Sequence, residues 1–568
     1  LQEGTGDRWS CPFGSGDPAA PDRSYRKCLR RRRWWPGWFR IFLLLFFSFW
    51  TPLGLSNLTK GATQDVMQGV FGPWYPTENG AAVSLRPRQG SSVAPPNVAS
   101  VKSSVLLVRE SQLPPRRWPL TLQEHRQILE SLVSYGARAI MVDLILLDKS
   151  HSAADWREFC GFLEGYDSSA GTSERRMPLI LFADNRDRSG TQSGLIEECF
   201  YSKGSPARAR HDTGWVATAY APKTWDPIQG VVRRYPATER RPEALDESRD
   251  ATGCATSAFM IYQWLLGGEA PLHAQGQAAF HRRCENMPVP AGGMFSDDMT
   301  VLWSTRIDQH NAKWLRCDDH GVFEHDGRSV DVTGWLYGIA KSLTEFSFLG
   351  DRYHEPGEGG GTRTFQQTCP PIPIVPLEVF LPDLVHPAAD RLRLDEDIQE
   401  ILEDSVVFYG VGLDVGADVI YTPTHGALPG VLFHAMAFDN LLKFGNEYYR
   451  RYVVASQILE LSVGVIFVFG FHYISAYIAP AWRRKAMIIS RGRLRLKIRG
   501  HLFLGVLTAV AAIALAVTII LIAHFYGRMA PMDWLFLSGV GGLGLAEIFG
   551  GRAIFRLECA HRTLALIH

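Results

Sequence analysis

Leu502–Ile522 contains no charged side chain, and Val453–Pro480 contains one, Glu460. A helix crosses the hydrocarbon core of a bilayer with about 20 apolar residues, so each stretch has the length and composition of a membrane span. Two further apolar stretches occur. Trp34–Ser56 has an uncharged run after Arg40, and Trp534–Gly551 is short, Gly-rich and holds only Glu547. The sequence therefore predicts transmembrane helices over 34–56, 453–480, 501–526 and 533–551. Arg30–Arg33 before the first apolar core would also suit a cleaved secretory signal. Bulky aromatics crowd that core and no Ala-x-Ala-like site follows it, which favours an uncleaved anchor. Either outcome exports the residues that follow.

The formal charge of the 568-residue chain, 59 basic against 58 acidic side chains for a net of +1, hides a strong sorting. Residues 57–451 hold 38 basic and 50 acidic groups, a net of −12, whereas 1–40, 481–500 and 552–568 carry +5, +8 and +2. Lys and Arg concentrate beside spans on the cytoplasmic side. Segment Arg483–Gly500 has eight basic residues and no acidic one. The predicted topology places 1–33, 481–500 and 552–568 in the cytoplasm and 57–451 outside. A balanced total argues against a nucleic-acid binder. The basic link is tethered at a membrane surface, so anionic lipid is its expected contact.

Six of the nine cysteines, Cys160, Cys199, Cys254, Cys284, Cys317 and Cys369, fall in the exported block, where an oxidising compartment permits up to three disulfides. Their pairing stays open. Cys11, Cys28 and Cys559 lie on the cytoplasmic side.

Within the block, Lys102–Val108 (KSSVLLV) reads as a buried strand. Leu122–Tyr135 has apolar residues Ile128, Leu129, Leu132 and Val133 at helical spacing, and Gly136 ends the helix. Ala137–Leu147 and Met177–Ala183 read as further buried strands. Strand, helix and strand in succession make a βαβ unit and imply a parallel sheet. Ser405–Leu413 adds a strand and Gly430–Leu442 a helix, with Gly350–Pro376 read as a loop or insertion. The expected fold is an α/β exported domain with a largely parallel sheet, one transmembrane helix before it and three after it.

Several motifs carry a resemblance. SVLLVRES (Ser104–Ser111) is followed by RWPL (Arg117–Leu120), GARAIMVDLIL (Gly136–Leu146), GVVRRYP (Gly230–Pro236), VVFYGVG (Val406–Gly412) and YTPTHGALPGVLFHAMAFDNLL (Tyr421–Leu442). The last includes Thr422-Pro423, Pro429-Gly430 and His434-Ala435. In this order the motifs resemble the CHASE domain of type 2, an extracytoplasmic sensory module of bacterial receptors, over roughly residues 60–550. The resemblance implies a multi-pass protein of the bacterial inner membrane with a large periplasmic domain. Two departures stand out. Arg109 sits beside Glu110 where the family commonly has an acidic pair, and no cyclase or kinase domain follows 533–551 within these residues. The chain begins with Leu1 rather than Met, so further N-terminal residues are expected.

Glu110, Asp143, Asp148 and Asp414 lie at or near the C-terminal ends of predicted strands, where open α/β sheets bind ligands. With His434 at the following helix they are candidates for holding a cation or cationic ligand. The plainer reading makes the acids caps and His434 a structural histidine. Gly410, Gly412 and Gly416 lack the helix that a dinucleotide site needs and read as a turn scaffold. Cys317, Asp318, Asp319, His320, His325 and Asp326 match no established metal loop. Ser538, Gly542 and Ala546 recur at four-residue intervals in the last apolar stretch, a spacing for close helix packing, with homodimerisation as its second use.

No HExxH, GxSxG or Walker sequence occurs. No cofactor, metal or catalytic activity is expected. The expected function is a sensor whose exported domain meets an unknown extracytoplasmic ligand. It would relay the signal to a separate cytoplasmic or membrane partner docked on the basic link and the C-terminal tail. The alternative is a structural or assembly subunit of a cell-envelope complex.

Overall fold

A computed structural model describes residues 101–109, 118–144, 152–170, 177–184, 215–220, 234–236, 238–239, 254–266, 298–304, 370–381, 391–412, 419–422, 424–445, 448–450, 486–491 and 494–499, with isolated positions elsewhere. The chain divides into two compact units. One comprises 64–451 with 525–530, and the other comprises 1–63, 452–524 and 531–568.

The first unit is built on a six-stranded, wholly parallel sheet. Its strands are β1 (Lys102–Arg109), β2 (Ala139–Val142), β3 (Leu179–Asp184), β4 (Val216–Tyr220), β9 (Ile374–Pro376) and β10 (Ser405–Gly412), in the spatial order β4-β3-β2-β10-β1-β9. Every neighbouring pair is parallel. Between them in sequence lie the two-residue strands β5 (Arg234–Tyr235), β6 (Thr238–Glu239), β7 (Cys254–Ala255) and β8 (Met299–Thr300). Strand β2 is shorter than the run Ala137–Leu147 suggests, and residues 145–147 lie outside the described ones. Segment Gly350–Pro376 is not loop throughout, because its last three residues form the edge strand β9. Pro376 is tolerated there because an edge strand has a free side.

The unit's described α-helices are α1 (Leu122–Ser134), α2 (Ala153–Ala170), α3 (Ser257–Leu266), α4 (Arg391–Leu402) and α5 (Val431–Phe444). A capping box starts α1. Thr121 Oγ1 accepts from the Glu124 N–H at 3.2 Å, and Glu124 Oε2 accepts from the Thr121 N–H at 2.7 Å. Gly136, at φ +87°, ends the helix in the left-handed region where a side chain would be strained. Strand β10 shows how the layers form. Tyr409 hydrogen-bonds His125 of α1, while its neighbour Phe408 packs on Phe438 of α5. Successive strand residues face opposite ways, so α1 and α5 cover opposite faces. The central strands are accordingly buried on both faces: Val105, Leu106, Ile140, Val407, Phe408 and Tyr409 expose none of their surface.

Gly410 and Gly412 form part of β10 itself rather than a turn, which corrects that expectation. A Cβ at Gly410 would lie 2.6 Å from the Cβ of Val431, so the missing side chain is what lets α5 seat on the sheet. Gly416 lies outside the described residues. Strands β11 (Val419–Thr422) and β12 (Gly426–Pro429) form an antiparallel pair leading into α5. One disulfide joins Cys160 of α2 to Cys199, with Cα atoms 5.1 Å apart. Cys254 is in β7, and Cys284, Cys317 and Cys369 lie outside the described residues.

In the second unit, β13 (Ala486–Arg491) and β14 (Leu494–Arg499) form an antiparallel ribbon within the basic link. Positions 515, 518–519 and 522–524 are helical. Leu515 and Ile522, 47% and 54% exposed, are the exposed large hydrophobic residues among the described ones. Among the described residues no helix is long and apolar enough to cross a membrane. Stretches 34–56 and 533–551, with Ser538, Gly542 and Ala546, lie outside them, as do all of 453–480 except Ser462 and most of 501–526.

Candidate functional site

The C-terminal end of β2 delivers Asp143 to the middle of the sheet edge, where its N–H donates to the Tyr409 carbonyl at 2.7 Å. The seating of α5 on Gly410 brings its first turn over the same edge. His434 Nε2 thereby faces Asp143 Oδ2 at 3.6 Å, an ion-pair distance slightly beyond a hydrogen bond. On the other side of the imidazole, Nδ1 lies 2.9 Å from Tyr235 Oη and 3.4 Å from Ser257 Oγ, and those two oxygens are 2.8 Å apart. The Ala258 N–H donates to Tyr235 Oη at 3.2 Å.

One assignment of protons satisfies this row. The Ser257 hydroxyl donates to Tyr235 Oη, the Tyr235 hydroxyl donates to His434 Nδ1, and a proton on Nε2 points at Asp143. A neutral imidazole is what the environment demands. Phe433 meets the Tyr235 ring edge-on at 5.1 Å and Phe259 stacks on it at 6.2 Å. Burial drives His434 down to about 4 and Asp143 up to about 7. Burial, and then the nearby Asp143 charge, raise the Tyr235 phenol. The Asp143 side chain keeps 12% exposure, against 6% for that of His434, so the carboxyl is the member nearer solvent.

Of the acids expected at the sheet edge, the structure brings Asp143 together with His434; Glu110, Asp148 and Asp414 lie outside the described residues. The cluster at Cys317–Asp326 also lies outside them. Among the described residues no group of three His, Cys, Asp or Glu is placed to hold a metal. Tyr235 and Ser257 were not foreseen as site residues. Tyr235 stands in the motif GVVRRYP, which signals a family and not a role, and Ser257 is a single small residue at a helix start.

Such an arrangement sets a buried carboxyl that keeps its proton up to about pH 7 beside a buried neutral imidazole. Its Ser257 hydroxyl is fully buried. A cation reaching Asp143 would displace the proton that the buried carboxyl keeps up to about pH 7, while the proton on His434 Nε2 and the row behind it stay in place. A second buried histidine, His425, has its Nε2 2.6 Å from the Ser304 carbonyl and is driven down to about 4 by burial; it fastens residues 301–304 rather than facing the sheet edge.

A family model described as the CHASE2 domain matches residues 84–472. No curated protein and no solved structure matches the chain.

Proposed function

This chain belongs to the CHASE2 domain family, a family of extracytoplasmic sensory domains, and from that premise we propose a membrane receptor that senses a small cationic ligand. The 64–451 unit lies outside the bacterial inner membrane. Segments 34–56, 453–480, 501–526 and 533–551 cross it, and a separate cytoplasmic partner supplies the output. The observation that carries the ligand reading is the Asp143–His434 pair: a buried carboxyl at a strand's C-terminal end, 3.6 Å from a buried imidazole.

The exposure of Leu515 and Ile522 supports the membrane reading, since large apolar groups spaced two helical turns apart share a face that suits lipid. The chain path supports the relay. His434 rides on α5, which ends at Gly445, and the Tyr449 carbonyl then accepts the Thr300 N–H at 2.7 Å just before residue 453. A ligand that prefers one seating of α5 shifts the population of both states, which is all that signalling requires.

The test uses the full chain in nanodiscs with calcium, magnesium, putrescine and spermidine as probes. At least one should raise the melting temperature of the wild type and have no effect on Asp143→Asn. A rise with none of them, or an equal rise in the variant, overturns the cationic-ligand reading.

A further inference from the structure

The link between 453–480 and 501–526 is folded as the ribbon of β13 and β14, and its register sorts the residues. Met487 pairs with Ile498, Ile489 with Leu496 and Arg491 with Leu494, while Ala486 pairs with Arg499, Ile488 with Lys497 and Ser490 with Arg495. Residues directly opposite in an antiparallel pair share a face, and the face alternates along each strand. One face therefore collects Met487, Ile489, Leu494, Leu496 and Ile498, with Arg491 as the exception beside residues 492–493. The other face carries Arg495, Lys497 and Arg499 in a row along β14, opposite Ser490, Ile488 and Ala486 of β13.

Among the described residues no third strand joins β13 and β14, and a two-stranded ribbon is marginal in water, so this one calls for a surface suited to an apolar face and a row of cations. We infer that β13–β14 is an interfacial ribbon whose occupant is the anionic headgroup layer of the bilayer. In that layer the apolar face settles at the boundary with the acyl chains, at the level where phosphates meet the arginines. Charge complementarity supports it, because residues 481–500 hold eight basic and no acidic groups. Tethering supports it too. β14 ends two residues before 501 and β13 begins six after 480, so chain reach holds the ribbon within about 7 and 21 Å of the two stretches. The inference shares with the proposed function the crossing of the membrane by 453–480 and 501–526, and does not depend on the sensory role. It also leaves residues 552–568, rather than the ribbon, to the cytoplasmic partner.

Hydrogen exchange of amides 486–499 tests it, in the full chain reconstituted into nanodiscs of phosphatidylcholine alone or with about 30 mol% phosphatidylglycerol. Exchange should slow about tenfold in the anionic discs, and the protection should vanish in about 0.5 M salt. The triple variant Arg495→Gln, Lys497→Gln, Arg499→Gln should exchange equally in both discs. Unchanged protection across 101–109 and 405–412 reports that the exported domain of the variant is folded, and the salt titration of the wild type needs no variant. Equal exchange of the wild type in the two lipids overturns the inference, as does protection acquired only when a cytoplasmic protein is added. A chain that fails to enter nanodiscs overturns the membrane reading as well, whereas a failure of the ribbon alone leaves incorporation intact.

Discussion

Leu106 and Leu515 are the same side chain in opposite circumstances. In the parallel-sheet unit Leu106 is 0% exposed, between β10 on one side and β9 on the other, whereas Leu515 in the second unit is 47% exposed. On the proposed topology the difference teaches that each unit suits its own solvent. Around the sheet, apolar area leaves water by packing against more protein. At Leu515 and Ile522 it is presented outward, an arrangement that the proposed membrane crossing of 501–526 accounts for.

The comparison breaks if Leu106→Ala is mild. Removing a fully enclosed side chain should cost about 2–5 kcal/mol, read as a lower denaturation midpoint for the exported unit. Removing the disulfide by Cys160→Ser should cost about 4 kcal/mol, because it frees a loop spanning 39 residues in the unfolded chain. Melting of the wild type with and without reductant checks the same quantity.

A third test concerns protons in the exported unit. Asp143 is raised to about 7 from 3.8, so its contribution to stability is complete below about pH 4 and is lost as pH rises through 7. His434 is lowered to about 4 from 6.5, so its contribution is present above 6.5 and is lost as pH falls through 4. Over pH 4 to 6.5 the two slopes oppose and the wild type should be nearly flat. Asp143→Asn should show stability rising with pH there, and His434→Gln stability falling, each by up to about 1.4 kcal/mol per pH unit. Slopes of the same sign in the two variants would remove the pair as a shared proton site. The smallest effect closes the comparison: Leu515→Ala in nanodiscs should change the melting temperature by less than about 2 °C, since on the proposed topology the residue gives up lipid contact rather than a packed core.

The elements legible in the sequence were those with one clear period or run. β1, α1, β3, β10 and α5 fall within a few residues of where apolar spacing and Gly136 put them. The strand order was not legible. Placing β10 between β1 and β2 joins residues about 300 apart in sequence, and no local pattern records that pairing. Helix α3 was missed because it is apolar nearly all round, which erases the amphipathic period. Asp143 and His434 were legible as candidates because strand ends and helix starts can be read locally. Tyr235 was not, since it belongs to a strand of two residues whose place depends on Met299 across the pair.

The contact between Gly410 and Val431 has a mechanical meaning. The space between them is too small for even a methyl group, so the first residue of α5 has little room to move toward the sheet and would serve as the pivot of any tilt. His434 stands three residues from that pivot and Phe444 thirteen. At 1.5 Å per residue, a tilt of about 5° moves the histidine end by about 0.4 Å and the far end by about 1.7 Å. On the proposed relay the helix is a lever with its short arm at the acid–imidazole pair and its long arm toward the chain that leaves for residue 453.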